Sequence, residues 1–283
     1  MLNTAAKIRV ARALYGLLHE LRRPFGLGDQ VRVKRAGVHW QLDLREGIDL
    51  TIYLFGAFER QTLRTLESLV KPGAIVLDIG ANIGAHTLHL ARLVGRQGRV
   101  IALEPTDYAF EKLRVNLAAN PSLSERVTTD QVFLAARASA IPAAPVASSW
   151  PVDGTPPDDL QMGSRTMTVS GARTATVDDI VAASAKERVQ LVKMDVDGHE
   201  LEVLEGARGM LERDRPLIVM ELAPYAFEPT QKFDRMIQLL EGAGYTFRKL
   251  GSSHDLPRGA PALRRKIPAE GSINVVAVPR EHR

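Results

Sequence analysis

The run Ala74-Ile-Val-Leu-Asp-Ile-Gly-Ala-Asn-Ile-Gly84 limits what this chain can fold into more than any other stretch. Its uninterrupted apolar residues up to Asp78 suit a parallel strand covered on both faces, and His86-Thr-Leu-His-Leu-Ala-Arg-Leu93 then places leucines at helical spacing. A strand, an acid, two glycines and a helix in that order make a strand-to-loop turn suited to a nucleoside-like ligand. Gly80 and Gly84 are expected to let backbone approach a ligand where a side chain would stand in the way.

The same alternation continues along the chain. A helix over 61–70 is broken by Lys71-Pro-Gly73, and strand 74–79, helix 84–95, strand 99–104, helix 107–119 and strand 126–134 follow. Helix 176–185, strand 189–195, helix 199–213, strand 216–222 and helix 230–243 resume it, and strands 245–250 and 272–279 close it without a helical pattern between them. The expectation is an α/β fold: a doubly wound, mostly parallel, seven-stranded Rossmann-like sheet with right-handed crossovers. Ahead of it, residues 31–55 alternate as short antiparallel strands, and an N-terminal helix precedes them. The expected division is a basic helix and short β extension over 1–60 and a catalytic domain over 61–283. An irregular insertion over 137–175 is read as a cover for the substrate, carrying Trp150, Met162 and Met167.

Ligands of such sheets bind beyond the carboxyl ends of the strands, where the strand order reverses. That rule selects Asp78, Glu104, Asp130 or Gln131, Asp195 and Glu221. A dinucleotide site would show G-x-G-x-x-G under a pyrophosphate, whereas the pattern here is D-x-G-x-x-x-G. Asp78 would repel a pyrophosphate and attract the cationic amino acid end of S-adenosylmethionine (SAM). Glu104, ending the second strand, falls where a ribose-binding carboxylate belongs.

Leu77-Asp-Ile-Gly-Ala-Asn-Ile-Gly84, Leu103-Glu-Pro105 and Val192-Lys-Met-Asp-Val-Asp-Gly-His-Glu200 together resemble the FkbM family of SAM-dependent methyltransferases, as do Gly56-Ala-Phe-Glu59, Thr176-Val-Asp-Asp179 and Leu204-Glu-Gly-Ala207. The resemblance runs from about Gly37 to Pro279. It implies O-methylation of a hydroxyl on a sugar, a glycolipid, a polysaccharide or a natural-product metabolite. The expected cofactor set is Glu59, Asp78, Gly80, Asn82, Gly84, Glu104, Pro105, Gln131 and Asp195. Asp195, Lys193 and His199 are the catalytic candidates, with Lys193 expected to ion-pair with Asp195 or Glu221. Asp197 and Glu200 read as a helix cap and its capping-box partner, and His86 and His89 as packing or surface residues. Asp195 with Glu221 makes an incomplete site for magnesium, which is not favoured. A SAM-binding accessory protein without turnover is the alternative reading.

Composition narrows the partners. A net charge of +4 is a mild excess for which nucleic acid is one explanation among several, while an aromatic share of 5% and no base-flipping signature argue against a nucleic-acid substrate. The absence of cysteine fits a reducing compartment, no apolar run approaches the ~20 residues of a membrane span, and Met1–Ala6 lack an apolar signal core, so a cytoplasmic protein is expected. Lys7, Arg9, Arg12, Arg22, Arg23, Arg32, Lys34 and Arg35 crowd the first segment beside Ile8, Ala11, Leu14, Leu18 and Leu21 at helical spacing. This basic amphipathic helix suits an anionic membrane surface, a second subunit as in a homodimer, or its own domain.

Overall fold

The computed structural model describes residues 4–138, 146–156, 164–184, 187–227, 231–268 and 271–280. Met162 and the neighbouring parts of the 137–175 insertion lie outside them. Helix α1 (Thr4–Arg22) leads through a turn at Arg23–Phe25 into an antiparallel hairpin of β1 (Gln30–Arg35) and β2 (Val38–Asp43), followed by α2 (Gly47–Phe55) and α3 (Arg60–Leu69). Strand β3 (Ile75–Ile79), α4 (Thr87–Leu93), β4 (Arg99–Glu104), α5 (Asp107–Ala118), α6 (Pro121–Ser124) and β5 (Val127–Leu134) come next. The insertion contributes β6 (Val146–Ser149), β7 (Arg165–Met167) and β8 (Arg173–Ala175). After α7 (Val177–Ser184) the chain runs through β9 (Val189–Met194), α8 (Glu200–Glu205), α9 (Arg208–Asp214), β10 (Leu217–Leu222), α10 (Gln231–Gly242), β11 (Tyr245–Lys249), α11 (Ala260–Arg264) and β12 (Ile273–Pro279).

The main sheet has the order β11-β12-β10-β9-β3-β4-β5-β8. The seven expected strands are all present, and β8 adds a short eighth at the β5 edge. Only β12 runs antiparallel to its neighbours, which gives the reversed hairpin at the other edge. From β3 the chain steps outward through β4 and β5, then returns to lay β9 and β10 on the opposite side. The order therefore reverses between β3 and β9. Strand β3 is buried throughout, which explains its continuous apolar run.

Three local readings change. Residues 47–55 form a helix rather than a strand, although Thr51, Ile52 and Tyr53 favour strands by propensity. Asp49 in the first turn of α2 accepts the Asp43 amide at 2.7 Å, and Leu50 and Ile52 are buried by the helical packing. The expected helix 199–213 is two helices. A side chain at Gly206 would meet the Ala135 carbonyl at 2.4 Å, so the chain bends there to let the backbones touch. The helix expected over 84–95 begins at Thr87, because the preceding loop turns through positive φ at Asn82 and Gly84.

The N-terminal segment shares its core with the main fold. Val38, Trp40 and Leu42 alternate inward from β2 and pack with Ile52, Ile83, Leu88 and Leu113. Asn116 on α5 and Asn120, just ahead of α6, also accept from the β2 backbone, each at 2.9 Å. Ala11, Tyr15 and Leu18 seat the inner face of α1 on Leu44, Leu50 and Val152.

Candidate functional site

A cavity of about 800 Å³ opens at the carboxyl ends of β3, β4 and β9, where the strand order reverses. Its floor is the 79–82 turn, Leu103–Pro105 and the segment Asp195–His199. One wall carries Phe58 and Glu59, and another Ser148 and Trp150. Glu59, Gly80, Asn82, Glu104, Pro105, Lys193, Asp195 and His199, all expected at the site, line this one cavity. Asp78, Gly84 and Gln131 do not.

The reasons are physical. Asp78 is fully buried behind the floor, accepting a hydrogen bond from Thr87 Oγ1 at 2.6 Å, with its second oxygen 3.8 Å from Lys193 Nζ. It balances charge from behind the site. Gly84, with φ of 91°, leaves space that Leu113 fills; a Cβ there would stand 2.9 Å from a Leu113 methyl. At Gly80, with φ of 73°, a Cβ would lie 1.9 Å from the Asp195 carbonyl oxygen. Both glycines thus serve close contacts within the protein, and Gly80 presses the β3 turn directly onto the acid segment after β9. Gln131 turns away to donate to Asp107 at 2.6 Å.

Glu104 is buried and held from three sides. Its Oε2 accepts the Asn82 amide at 2.9 Å, and its Oε1 accepts the Thr106 amide at 3.0 Å and the Thr106 hydroxyl at 2.6 Å. Two carboxylate oxygens offer about four acceptor positions, so a hydrogen-bonding position is left for a ligand hydroxyl. Asn82, with φ of 49°, supplies that amide from the left-handed region, which asparagine tolerates.

Lys193 sits opposite Asp78 in the β3–β9 register and is 4% exposed. Its ammonium donates to the Gly80 carbonyl at 3.2 Å and lies 3.5 Å from Asp195 Oδ2, so the expected ion pair with Asp195 forms. Burial works against its charge, but Asp195, Asp78 and Glu59 outweigh it and hold the pKa above the ordinary lysine value. A lysine held protonated can position an acid but cannot act as a base.

This one ammonium acts on Glu59, Asp195 and Asp197, which line the cavity together with Glu221. Burial and the nearby Asp195 raise the pKa of Glu59 and push that of Asp197 well above the usual carboxylate range. Glu59 also holds φ of 45°, a strained conformation for its residue type, and its carboxylate accepts from Thr62 Oγ1 at 3.1 Å. Asp197 was expected as the cap of α8. Instead His199 occupies the cap position, while Asp197 and Gly198 turn through positive φ of 48° and 93° and leave Asp197 in the cavity wall. With His199 at the cap, Glu200 is the first residue of the helix rather than the third, so the expected capping box does not form, and the Glu200 carboxyl turns back to the Gly198 backbone instead.

His199 packs on Phe133 with ring centroids 4.8 Å apart, and burial lowers its pKa despite Glu202 nearby, so the ring is neutral. His86, read from the sequence as packing or surface, is buried in the cavity wall with Nε2 3.8 Å from Glu59 Oε2. His89 packs beside Trp40. Among the described residues no group of three or more histidine, cysteine or acidic side chains is placed to hold a metal ion. No helix among them is long and apolar enough to cross a membrane.

The described part of the insertion covers one side of the cavity. Ser148 Oγ lies 2.8 Å from Thr106 Oγ1, above Glu104. The strap is fastened to the N-terminal segment: the Glu46 carboxylate accepts from Ser149 Oγ at 2.9 Å and the Trp150 amide at 3.0 Å, and Gly47 donates to the Trp150 carbonyl at 2.8 Å.

The buried carboxyl of Glu200 makes stability depend on pH. Burial raises its pKa to about 7, so the folded chain holds this proton more tightly than the unfolded chain does. Its contribution is fully present below the ordinary carboxyl pKa and is lost as pH rises toward about 7, a change on the order of 3 kcal/mol. Glu200→Gln cannot ionise. Its melting temperature, measured from about pH 5 to about pH 8, is expected to fall less than that of the wild type. Parallel curves would show that Glu200 titrates normally.

A doubly wound sheet with a reversed terminal hairpin and a cavity at its switch point defines the class I methyltransferase fold. Residues 78–247 match the model of the methyltransferase FkbM domain, more than half of the chain, and the chain belongs to that family. It is 28% identical to the hexuronic acid methyltransferase AglP of Haloferax volcanii over 164 residues, which cover 57% of this chain and 61% of that protein. It is 26% identical to the methyltransferase sdnD of Sordaria araneosa over 197 residues, 60% of this chain and 73% of that protein. The crystal structure of methyltransferase FkbM from Methylobacillus flagellatus aligns with a TM-score of 0.46 at 15% identity, over 76% of this chain and 50% of that one.

Proposed function

We propose that the protein is a SAM-dependent O-methyltransferase whose acceptor is a hydroxyl on a sugar or a glycosylated metabolite. The observation that carries this reading is the charge of the cavity. Glu59, Glu104, Asp195, Asp197 and Glu221 line it, and Lys193 is the only lysine or arginine among the described lining residues. Such a surface suits a ligand with a sulfonium and an ammonium group and repels a pyrophosphate. Glu104 is the partner proposed for the ribose hydroxyls, with Asn82 and Thr106 holding its carboxylate in place. The acceptor class draws on the AglP relative, described as a hexuronic acid methyltransferase.

When bound, SAM supplies a methyl group on an electrophilic sulfonium. The chain must align the acceptor hydroxyl and take its proton. Asp195, about one-third exposed to the cavity and held by Lys193, is the group proposed to accept it. Trp150, Phe58 and Tyr225 offer flat apolar faces against which a sugar ring can lie.

Titration calorimetry with SAM and, separately, NAD tests the cofactor. SAM is expected to bind in the range of about 1–100 µM and NAD not at all, and Glu104→Ala to weaken SAM at least about tenfold by removing charge-assisted hydrogen bonds. NAD binding, or unchanged SAM affinity in the variant, would overturn the assignment.

A further inference from the structure

The exposed large apolar side chains of the described residues are Val10, Leu17, Leu21, Phe25, Leu27, Leu54 and Phe55, all within the first fifth of the chain. Helix α1 explains part of this, because it has two apolar faces. Ala11, Tyr15 and Leu18 pack inward, while Val10, Leu17 and Leu21, spaced seven and four residues apart, share a second face that is exposed among the described residues. The turn after α1 extends that face. Residues 23–28 are exposed throughout, and Phe25 at its tip is 77% exposed. Leu54 and Phe55, at the end of α2, join the same side of the molecule: the Arg22 guanidinium donates to Tyr53 Oη at 3.2 Å, and Arg35 donates to the Tyr53 carbonyl at 2.8 Å.

The charge around this face is one-sided. Between residues 8 and 35 stand Arg9, Arg12, Arg22, Arg23, Arg32, Lys34 and Arg35 against only Glu20 and Asp29, an excess larger than the +4 of the whole chain. Asp29 is moreover engaged by Tyr15 and His19. A second copy of the chain would bring the same cations against these, whereas an anionic bilayer presents apolar depth beneath negative headgroups. With no helix among the described residues fit to span a bilayer, the contact is peripheral.

We propose that the outer face of α1, the Arg23–Gly28 turn and the end of α2 form a docking surface for an anionic lipid membrane, with Phe25 and Leu21 entering the interface and the surrounding arginines meeting the headgroups. The same helix lines the cavity through Ile8 and Ala11, so docking sets the cavity beside the lipid surface. This surface does not depend on the identity of the cofactor or the acceptor.

The test is co-flotation of the full chain with vesicles of phosphatidylcholine alone and of phosphatidylcholine mixed with phosphatidylglycerol. Wild type is expected to float with the mixed vesicles only, and added salt to release it. Leu21→Glu/Phe25→Glu, both at exposed positions, is expected to lower the bound fraction at least tenfold with an unchanged melting temperature. Arg9→Glu/Arg23→Glu is expected to do the same without altering the apolar face. Failure of wild type to float, or equal flotation of wild type and both variants, would overturn the proposal. So would light scattering that shows a stable wild-type dimer converted to monomer by Leu21→Glu/Phe25→Glu, which would assign the face to a second copy.

Discussion

Lys193→Met is expected to destabilise the protein by about 3–5 kcal/mol, because it leaves buried carboxylates without their counter-charge. Asp78 is fully buried, and among the described residues its charge partner is Lys193, with Thr87 satisfying only one of its oxygens. Methionine fills the space of the lysine stem but supplies neither the charge nor the hydrogen bond to the Gly80 carbonyl. At this size the melting temperature should fall by roughly 10 °C. The fall has a signature. Without the ammonium, Asp78 will hold its proton to a higher pH in the folded state, so the variant is most stable in acid and loses stability as pH rises. Lys193→Met/Asp78→Asn should recover much of the loss at neutral pH, since it removes the orphaned charge as well. Urea unfolding of the single and double variants checks both points. A single variant with the wild-type midpoint would mean that the β3–β9 pair holds nothing.

Asp195→Asn is expected to lower turnover about a hundred- to ten-thousand-fold while changing SAM affinity by no more than a few-fold. Asparagine keeps the shape of the side chain and its contact with Lys193, but it cannot take a proton from the acceptor. Calorimetry with SAM and single-turnover rates with a methylated sugar product read the two quantities separately. A loss of SAM binding would move Asp195 to the cofactor set, and wild-type turnover would remove it from the proposed chemistry. In that second case His86, buried and neutral against Glu59, becomes the next base to test. Burial lowers its pKa well below the ordinary histidine value, which keeps the ring unprotonated at neutral pH but makes it a weaker base than an ordinary histidine.

The strand frame was legible because burial on both faces writes itself as continuous apolar sequence, and β3, β4, β9 and β10 are such strands. The ends of those strands then located Glu104 and Asp195. What the sequence did not carry was the third dimension of each motif. A glycine reads the same whether its empty space receives a ligand or, as at Gly84, a leucine from a helix nearly thirty residues away. Asp78 reads as an exposed site acid, yet its place one residue before the strand end keeps it inside the sheet, against a lysine more than a hundred residues later. Asp197 was hidden differently, since an aspartate ahead of a helix fits a cap until the backbone turns it toward the cavity. Residues 47–55 misled because the alternation that holds over β1 and β2 was carried past Asp43, where the chain turns into a helix that buries Leu50 and Ile52.

The bonds from Glu46 and Gly47 to Ser149 and Trp150 join two pieces of chain about a hundred residues apart into one wall. Neither piece is a portable unit. A graft that brings only the 146–152 strap of a relative into this scaffold would lose its anchor, and one that brings only the 44–50 segment would leave the strap unheld. On the proposed reading, in which this wall faces the acceptor, the two pieces have to be transplanted as a matched pair, and a library that varies one piece at a time will mostly sample broken walls.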